Sequence, residues 1–376
     1  MPILFTLFAL LVISQSISAA AMIPSPPQVN ASSYYLMDFD SGHVIAEYNA
    51  HERVEPASLT KMMSSYIVEQ EIQQGRLNLT DQVRISEKAW RMEGSRMFVE
   101  VGKYVSVEKL LKGVIIQSGN DATVALAEHV AGSERAFAEL MNAHAARLGM
   151  TGSHFVNSTG MPDDDHYTTA HDMAILGQAL IRDNGEFYAW NAIKEYKYNG
   201  ISQFNRNKLL WRNKHVDGIK TGHTDAAGYC LVASGEKDGM RLVSAVLGTK
   251  SENARSDESQ KLLTYGFRFF ETHKLYAAEQ SLKQVRIWKG ASEQLPVGLE
   301  QDLFITIPRG QYDNLQASME LNGKIMAPQQ LGAQVGNVVV KLDDKIVAQR
   351  PLQALQTVEE GGLVSSLVDQ VKLMFE

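Results

Sequence analysis

The sequence predicts an α+β domain, in which helices are inserted between strands of an antiparallel sheet, followed by a small all-β sandwich domain and a C-terminal amphipathic helix. Three patterns carry that expectation. Strand-like runs open and close residues 30–276 around a helix-rich middle, short β runs separated by turn residues fill 277–356, and residues 359–376 return to helical spacing.

The elements follow in chain order. After the proline-rich linker Pro24 to Pro27, Tyr34–Phe39 and Val44–Tyr48 flank the turn residues Asp40, Ser41 and Gly42, which reads as a β-hairpin. From Ser58 to Gly75, Leu59, Met62, Met63, Tyr66, Ile67 and Ile72 recur at helical spacing, with Pro56 upstream and Gly75 as a stop. A second helical run covers Val107–Ile116, breaks at Ser118 and Gly119, and resumes from Asp121 to Val130. Beyond Gly218 the texture turns to strands, Tyr229–Ala233 and Leu242–Leu247, joined through Lys237, Asp238 and Gly239 and closed by a helix over Asp257–Thr272. The all-β region is expected at Val285–Trp288, Phe304–Ile307, Leu315–Leu321, Val338–Leu342 and Ile346–Gln349. In the tail, Leu363, Val364, Leu367, Val368, Val371, Met374 and Phe375 share one helix face, a pattern too short to span a bilayer.

Composition narrows the function. A chain of 376 residues with 44% hydrophobic and 21% charged side chains can bury ordinary cores, which excludes wholesale disorder. A net charge of -7 gives no global field for nucleic acid. Cys230 is the single cysteine, so no internal disulfide forms, and the thiol is expected buried in a strand. Ile3 to Ile13 is apolar and precedes the small residues Ser18 to Ala21, so residues 1–21 read as an export signal, although no Lys or Arg precedes the apolar run.

A serine hydroxyl needs a base to act as a nucleophile at neutral pH, and a lysine three residues on along the same helix face supplies one. Ser58-Leu59-Thr60-Lys61 has that form. So does Ser106-Val107-Glu108-Lys109, which is better explained as a serine N-cap on an amphipathic helix. What separates the first copy is its company: Ser118-Gly119-Asn120 in a break between helices, and Lys220-Thr221-Gly222 on a candidate strand.

With these three motifs the chain resembles the serine active-site penicillin-binding proteins, whose set is S-x-x-K, S-x-N and K-T-G. The stretches SLTKMMSSYIVEQ, GVIIQSGNDATVALAEHVAG, NSTGMP and VDGIKTGHTDAAGY are similar to those of the low-molecular-mass D-alanyl-D-alanine carboxypeptidases in particular. The resemblance implies a penicillin-binding or β-lactamase-like transpeptidase domain, a β-rich second domain and a membrane-anchoring amphipathic helix. It implies an exported enzyme, peripheral on the periplasmic face of the inner membrane, that trims peptidoglycan stem peptides ending in D-Ala-D-Ala. β-Lactams would inhibit it covalently, and it would need no cofactor and no metal.

Carried over by position, Ser58 is the nucleophile and Lys61 its base, made neutral by burial and a positive neighbour for which Lys220 is the candidate. Ser118 relays a proton to the departing D-alanine, and Asn120 holds Lys61 and the substrate amide. Lys220, Thr221 and Gly222 form the wall that receives the terminal carboxylate, and the main-chain N–H groups of Ser58 and His223 hold the oxyanion. Arg206 and Arg255 match cleft positions suited to a carboxylate. The segment Ser86–Met97 resembles a loop over this cleft, and Asn157–Pro162 reads as structural. Two other readings compete. A β-lactamase would need a deacylating glutamate, and Glu195 with Asn199 has the Glu-x-x-x-Asn spacing but sits in a run that reads as a strand. A penicillin-binding cell-wall scaffold would bind with little turnover. A zinc hydrolase is disfavoured, because the 10 histidines form no HExxH pair.

Overall fold

The computed structural model describes residues 23–375, so the expected export signal at 1–21 lies outside the described residues. The first domain is organised on a five-stranded antiparallel sheet of β1 (Ser33–Asp38), β2 (Val44–Tyr48), β3 (Val216–Thr224), β4 (Gly228–Lys237) and β5 (Met240–Thr249), in the order β2-β1-β5-β4-β3. The chain leaves the sheet after β2, builds the helical region, and returns at β3. Asp238 and Gly239 both take positive φ (53° and 78°) in the two-residue turn between β4 and β5, the geometry whose twist suits a tight hairpin.

Alternation along the strands divides the core in two. Leu231, Ala233, Leu242 and Val246 face one side, where Leu262 and Leu263 of the helix Glu252–Phe269 are buried. Cys230, Val232, Val243, Ala245 and Leu247 face the other and pack against the helical region. That region is built on α1 (Thr60–Gln73), α2 (Asn120–Ala131) and α3 (Ala170–Asp183), while α4 (Glu252–Phe269) covers the opposite face of the sheet. Helix α1 is buried on every side over ten consecutive positions from Thr60 to Glu69, polar residues included, as a helix enclosed by others is.

Two element boundaries differ from expectation. The run Val107–Ile116 is α-helical only to Lys112 and continues as a wider π turn over Gly113–Gln117, ending where Ser118 turns left-handed. The final helix of the domain starts five residues earlier than the apolar spacing indicates, because Ser251 caps it by accepting from the Ala254 N–H, and it stops at Phe269. Phe270–Tyr276 is a strand paired with Leu303–Pro308, so the chain passes from helix into the second domain without a linker. Long-range pairing, absent from any local pattern, overrides the helical spacing there.

The second domain contains this ribbon and a six-stranded sheet formed by Leu315–Leu321, Gln334–Leu342, Lys345–Ala354, Gln294–Gly298, Lys283–Trp288 and Ile325–Met326, in that order. Val285, Ile287, Leu295, Ile305, Val338 and Leu352 form its core. The strands Gln294–Gly298 and Ile325–Met326 escape sequence reading: the first carries Pro296 and Gly298, and the second is only two residues long. The terminal helix α5 (Leu363–Leu373) docks through its polar side: Asp369 accepts from Arg286 and from the Lys289 N–H, both at 2.7 Å.

Candidate active site

Ser58 lies in a single 3-10 turn, Ala57–Leu59, that leads directly into α1. Ala57 takes positive φ (48°), an uncommon conformation for a residue with a Cβ, held because Leu59 N–H closes onto the Pro56 carbonyl. Lys61 follows one turn later and is 1% exposed. Its Nζ donates to Ser58 Oγ at 3.1 Å and to the Thr159 carbonyl at 2.6 Å. The i, i+3 spacing therefore delivers the amine to the hydroxyl, and a carbonyl 98 residues away fixes where the amine points.

Ser118 sits at the end of the π turn in the left-handed region (φ 61°, ψ 36°) and is buried. This conformation costs on the order of 1–3 kcal/mol for a residue other than glycine and must be held by its surroundings. Those surroundings include Lys220, whose Nζ donates to Ser118 Oγ at 2.9 Å and to the Thr221 carbonyl at 3.0 Å. Lys220, Thr221 and Gly222 run along the edge strand β3, which packs against the Ser58 turn. A side chain at Gly222 would press on the Pro56 carbonyl and on Leu59, so glycine lets the two segments approach closely there.

Asn120 begins α2, and the expected contact with Lys61 is not made. Its Nδ2 donates to the Glu93 carbonyl at 2.6 Å, its Oδ1 is buried with no partner, and the contact that orients Lys61 comes from Thr159. The side chain thus spans the floor of the cleft to the loop Ser86–Met97, leaving an unpaired acceptor. Asp121 pins the exit of that loop by accepting from the N–H groups of Met97, Phe98 and Val99.

Ser58, Ser95, Ser118, Arg206, Thr221, His223 and Arg255 line one cleft of about 150 Å³, and Ser58, Asn120, Thr159 and Met161 line its continuation of about 370 Å³. Arg255 is buried and donates to the Gly222 carbonyl at 3.1 Å, while its Nε has no partner. Arg206 is exposed at the rim between two buried asparagines: Asn205 donates to the carbonyls of Asn191 and Ile193, and Asn207 to that of Gly218. The His223 ring lies on Tyr229 with centroids 3.9 Å apart, so its side chain packs outward beside the cleft.

The electrostatics follow from burial. Desolvation, assisted by the Arg206 charge and opposed by Asp121, brings Lys61 down to about 7. Lys220 is pushed well below the ordinary lysine range by burial and then by Lys61, Arg206 and Arg255. The positive charge felt by Lys61 is therefore that of Arg206, because Lys220 is itself driven toward the neutral amine. The result is an amine competent to accept a proton near neutral pH, next to a hydroxyl, with guanidinium groups across the cleft to attract an anion.

Several participants were invisible in the motifs. Thr159 acts through its carbonyl, and Asn157 shapes that segment by accepting from the N–H groups of Thr159, Gly160 and Met161. Gly160 has φ +85°, and a Cβ on it would overlap the Ala57 carbonyl beside the nucleophile. Their signal in the sequence is the stretch NSTGMP, which carries part of the family resemblance but by itself assigns no role to the Thr159 carbonyl. Glu195 is exposed at the start of a separate hairpin strand and Asn199 donates to Glu100, so neither lines the cleft. Ser106 caps its helix, accepting from Lys109 N–H at 3.4 Å. Cys230 is fully buried in β4, and burial pushes its thiol up to about 11. Among the described residues no group of three or more His, Cys, Asp or Glu side chains is placed to hold a metal ion.

A serine paired with a buried lysine, faced by a second serine–lysine pair and two arginines, is the side-chain set of a serine hydrolase. Comparison with known proteins places it further. A family model described as D-alanyl-D-alanine carboxypeptidase matches residues 20–251, and one for the C-terminal domain of penicillin-binding protein 5 matches residues 270–360. The chain belongs to the D-alanyl-D-alanine carboxypeptidase family. It is 45% identical to the D-alanyl-D-alanine carboxypeptidase DacA of Escherichia coli K12 over 370 residues, covering 96% of this chain and 92% of that protein. Penicillin-binding protein 5 of Haemophilus influenzae has the same fold at a TM-score of 0.87 and 42% identity, over 90% of this chain and 100% of that one. Penicillin-binding protein D2 of Listeria monocytogenes in its ampicillin-bound form matches 64% of this chain and 98% of that one, with a TM-score of 0.59 and 27% identity.

Proposed function

We propose that this chain removes the terminal D-alanine from peptidoglycan stem peptides through an acyl-enzyme on Ser58. The observation that carries this reading is the convergence of Lys61 Nζ on Ser58 Oγ at 3.1 Å and of Lys220 Nζ on Ser118 Oγ at 2.9 Å in a single cleft. Neutral Lys61 takes the Ser58 proton as Oγ adds to the carbonyl of the penultimate D-alanine. The oxyanion faces the main-chain N–H groups of Ser58 and His223. Collapse breaks the peptide bond, and the proton held by Lys61 passes through the Ser118 hydroxyl to the leaving amine, which returns Lys61 to the neutral form. Water then attacks the ester, with Lys61 as base again.

Specificity for a free C-terminus follows from charge. Lys220 is buried among positive neighbours, and among the described residues its hydrogen-bond partners are the Ser118 hydroxyl and the Thr221 carbonyl, so an arriving carboxylate restores its ammonium form and pairs with it, Thr221 and the guanidinium groups. Asn120, with its free Oδ1, receives the substrate amide. A β-lactam presents a similar carboxylate and a strained amide, and would acylate the same hydroxyl. The β-lactamase alternative lacks a carboxylate lining the cleft near Ser58 other than Glu252 at its far rim, which pairs with Lys208.

The same reading extends to location. Residues 1–21 act as an export signal and the enzyme works at the periplasmic face of the inner membrane. The terminal helix supports surface anchoring: Leu363 and Phe375 are each 86% exposed, while Asp369 ties the polar side to the β-rich domain. Among the described residues no helix is long and apolar enough to cross a membrane.

The test is release of free D-alanine from a peptide ending in D-Ala-D-Ala by the wild-type chain and by Ser58→Ala. Equal release by both rejects the mechanism; loss in the variant, with loss of covalent penicillin labelling, supports it.

A further inference from the structure

The carbonyl that orients Lys61 is held by a closed ring of contacts, and one member of that ring has no part in the chemistry so far. His166 is 2% exposed and packs edge-on against Phe155. Its Nδ1 lies 3.0 Å from the Val156 N–H, which can only donate, so Nδ1 is the acceptor and the ring proton is on Nε2. Nε2 is 2.8 Å from Thr60 Oγ1, to which it therefore donates. Thr60 is the chain neighbour of Lys61, and Val156 is three residues before Thr159. The ring closes through covalent chain on two sides and hydrogen bonds on the other two: Thr60 to Lys61, Lys61 Nζ to Thr159 O, back along the chain to Val156, and through the imidazole to Thr60.

We infer that His166 is a positioning residue for the general base, setting the position of the Thr159 carbonyl relative to Lys61 through its bridge from Val156 to Thr60. The inference rests on the reading of Lys61 as the base. Other contacts hold the segment, namely Ser64 to the Ser158 carbonyl and Ser158 to Glu134, but they anchor it to residues farther along α1 and to another helix. Among the described residues, the imidazole joins Lys61 itself in tying the segment to the start of α1. A neutral imidazole is required, since protonation would set an Nδ1–H donor against the Val156 N–H donor. Burial, with Lys61 and His154 as positive neighbours against Asp163 and Glu134, holds the ring down to about 4 and so preserves the acceptor through neutral pH.

The measurable consequence lies in the titration of Lys61, which faces Arg206, Asp121, Lys220 and the Thr159 carbonyl. A carbonyl accepting from the amine favours its ammonium form, so displacing that carbonyl lowers the pKa of Lys61. Loosening that merely admits water would do the opposite, because relief of desolvation raises it. The second-order rate of acylation by a fluorescent penicillin is measured from pH 5 to 9 for wild type, His166→Phe, His166→Gln and Thr60→Val, with thermal melting in parallel. His166→Phe and Thr60→Val should lower the plateau rate and move the midpoint of the acid limb downward by about half a pH unit or more, roughly a threefold change in neutral fraction. His166→Gln, whose amide can accept from Val156 and donate to Thr60, should restore the wild-type midpoint. Should His166→Phe fail to fold, Thr60→Val carries the test alone. A midpoint that stays put or rises in a folded variant overturns the inference. Absence of acylation in wild type would instead defeat the reading of Lys61 and Ser58 on which it rests.

Discussion

Lowering the pH from 8 to 5 titrates Lys61 in the free enzyme, and the structure sets how much acylation should be lost. With Lys61 at about 7, the neutral fraction is about 0.9 at pH 8 and about 0.01 at pH 5, so the second-order rate of acylation should fall by about 90-fold and level off above pH 8. A lysine with an ordinary value near 10.5 would behave differently, since its neutral fraction would keep rising about tenfold per unit past pH 8. The difference arises from enclosure of the amine at 1% exposure, beside one guanidinium, with a hydroxyl and a carbonyl as its hydrogen-bond partners. Benzylpenicillin suits the assay because its carboxylate stays ionised throughout the range. Lys61→Arg, which keeps the charge but supplies no neutral amine, should cut the plateau rate by roughly 100- to 10,000-fold. An acid limb centred above pH 9, or a Lys61→Arg variant as fast as wild type, would refute the assignment of the base.

Three further outcomes follow from other parts of the molecule. Gly160→Ala places a Cβ against the Ala57 carbonyl at a left-handed position and should cost at least about 2 kcal/mol of stability in a denaturant melt, with acylation of Ser58 reduced in the folded fraction. Glu69 is buried in α1, has one oxygen unpartnered, and is held up to about 8 by burial despite the Asn184 amide, so between pH 4.5 and 8 the folded state binds more protons than the unfolded. Stability should therefore decline as pH rises through that window, by up to about 1.4 kcal/mol per unit, and Glu69→Gln should flatten the decline in melts run from pH 5 to 9. Leu367→Glu on the exposed face of the terminal helix should lower binding to lipid vesicles by at least about tenfold, from the loss of one buried leucine, and wild-type binding should change little with salt because the polar face carries Lys372 against Asp369.

The Ser58–Lys61 contact was legible because its two residue types stand at a short, regular spacing. Ser58 and Lys61 are one helical turn apart, so local periodicity alone brings them together. The strands of the sheet were legible wherever both faces are covered, as at Cys230 to Ala233, where every residue is apolar. Local patterns failed where partners are distant. Phe270 to Thr272 read as the end of a helix but open the strand Phe270–Tyr276, which pairs with Leu303–Pro308, and Pro296 obscured a strand whose place at the sheet is set by its neighbours.

By itself the sequence determined which hydroxyls and amines are available, which segments are helix or strand over most of their length, and that one terminal helix has an apolar face. The tertiary structure decided how those groups are tuned. Arg206 rather than Lys220 supplies the charge felt by Lys61, Thr159 rather than Asn120 orients it, and the polar face of the terminal helix turns inward while its apolar face turns out. The physical reason is common to all three. A main-chain carbonyl belongs to every residue type, and a pKa depends on burial and on charges brought close from distant stretches, so neither is written in the neighbouring letters.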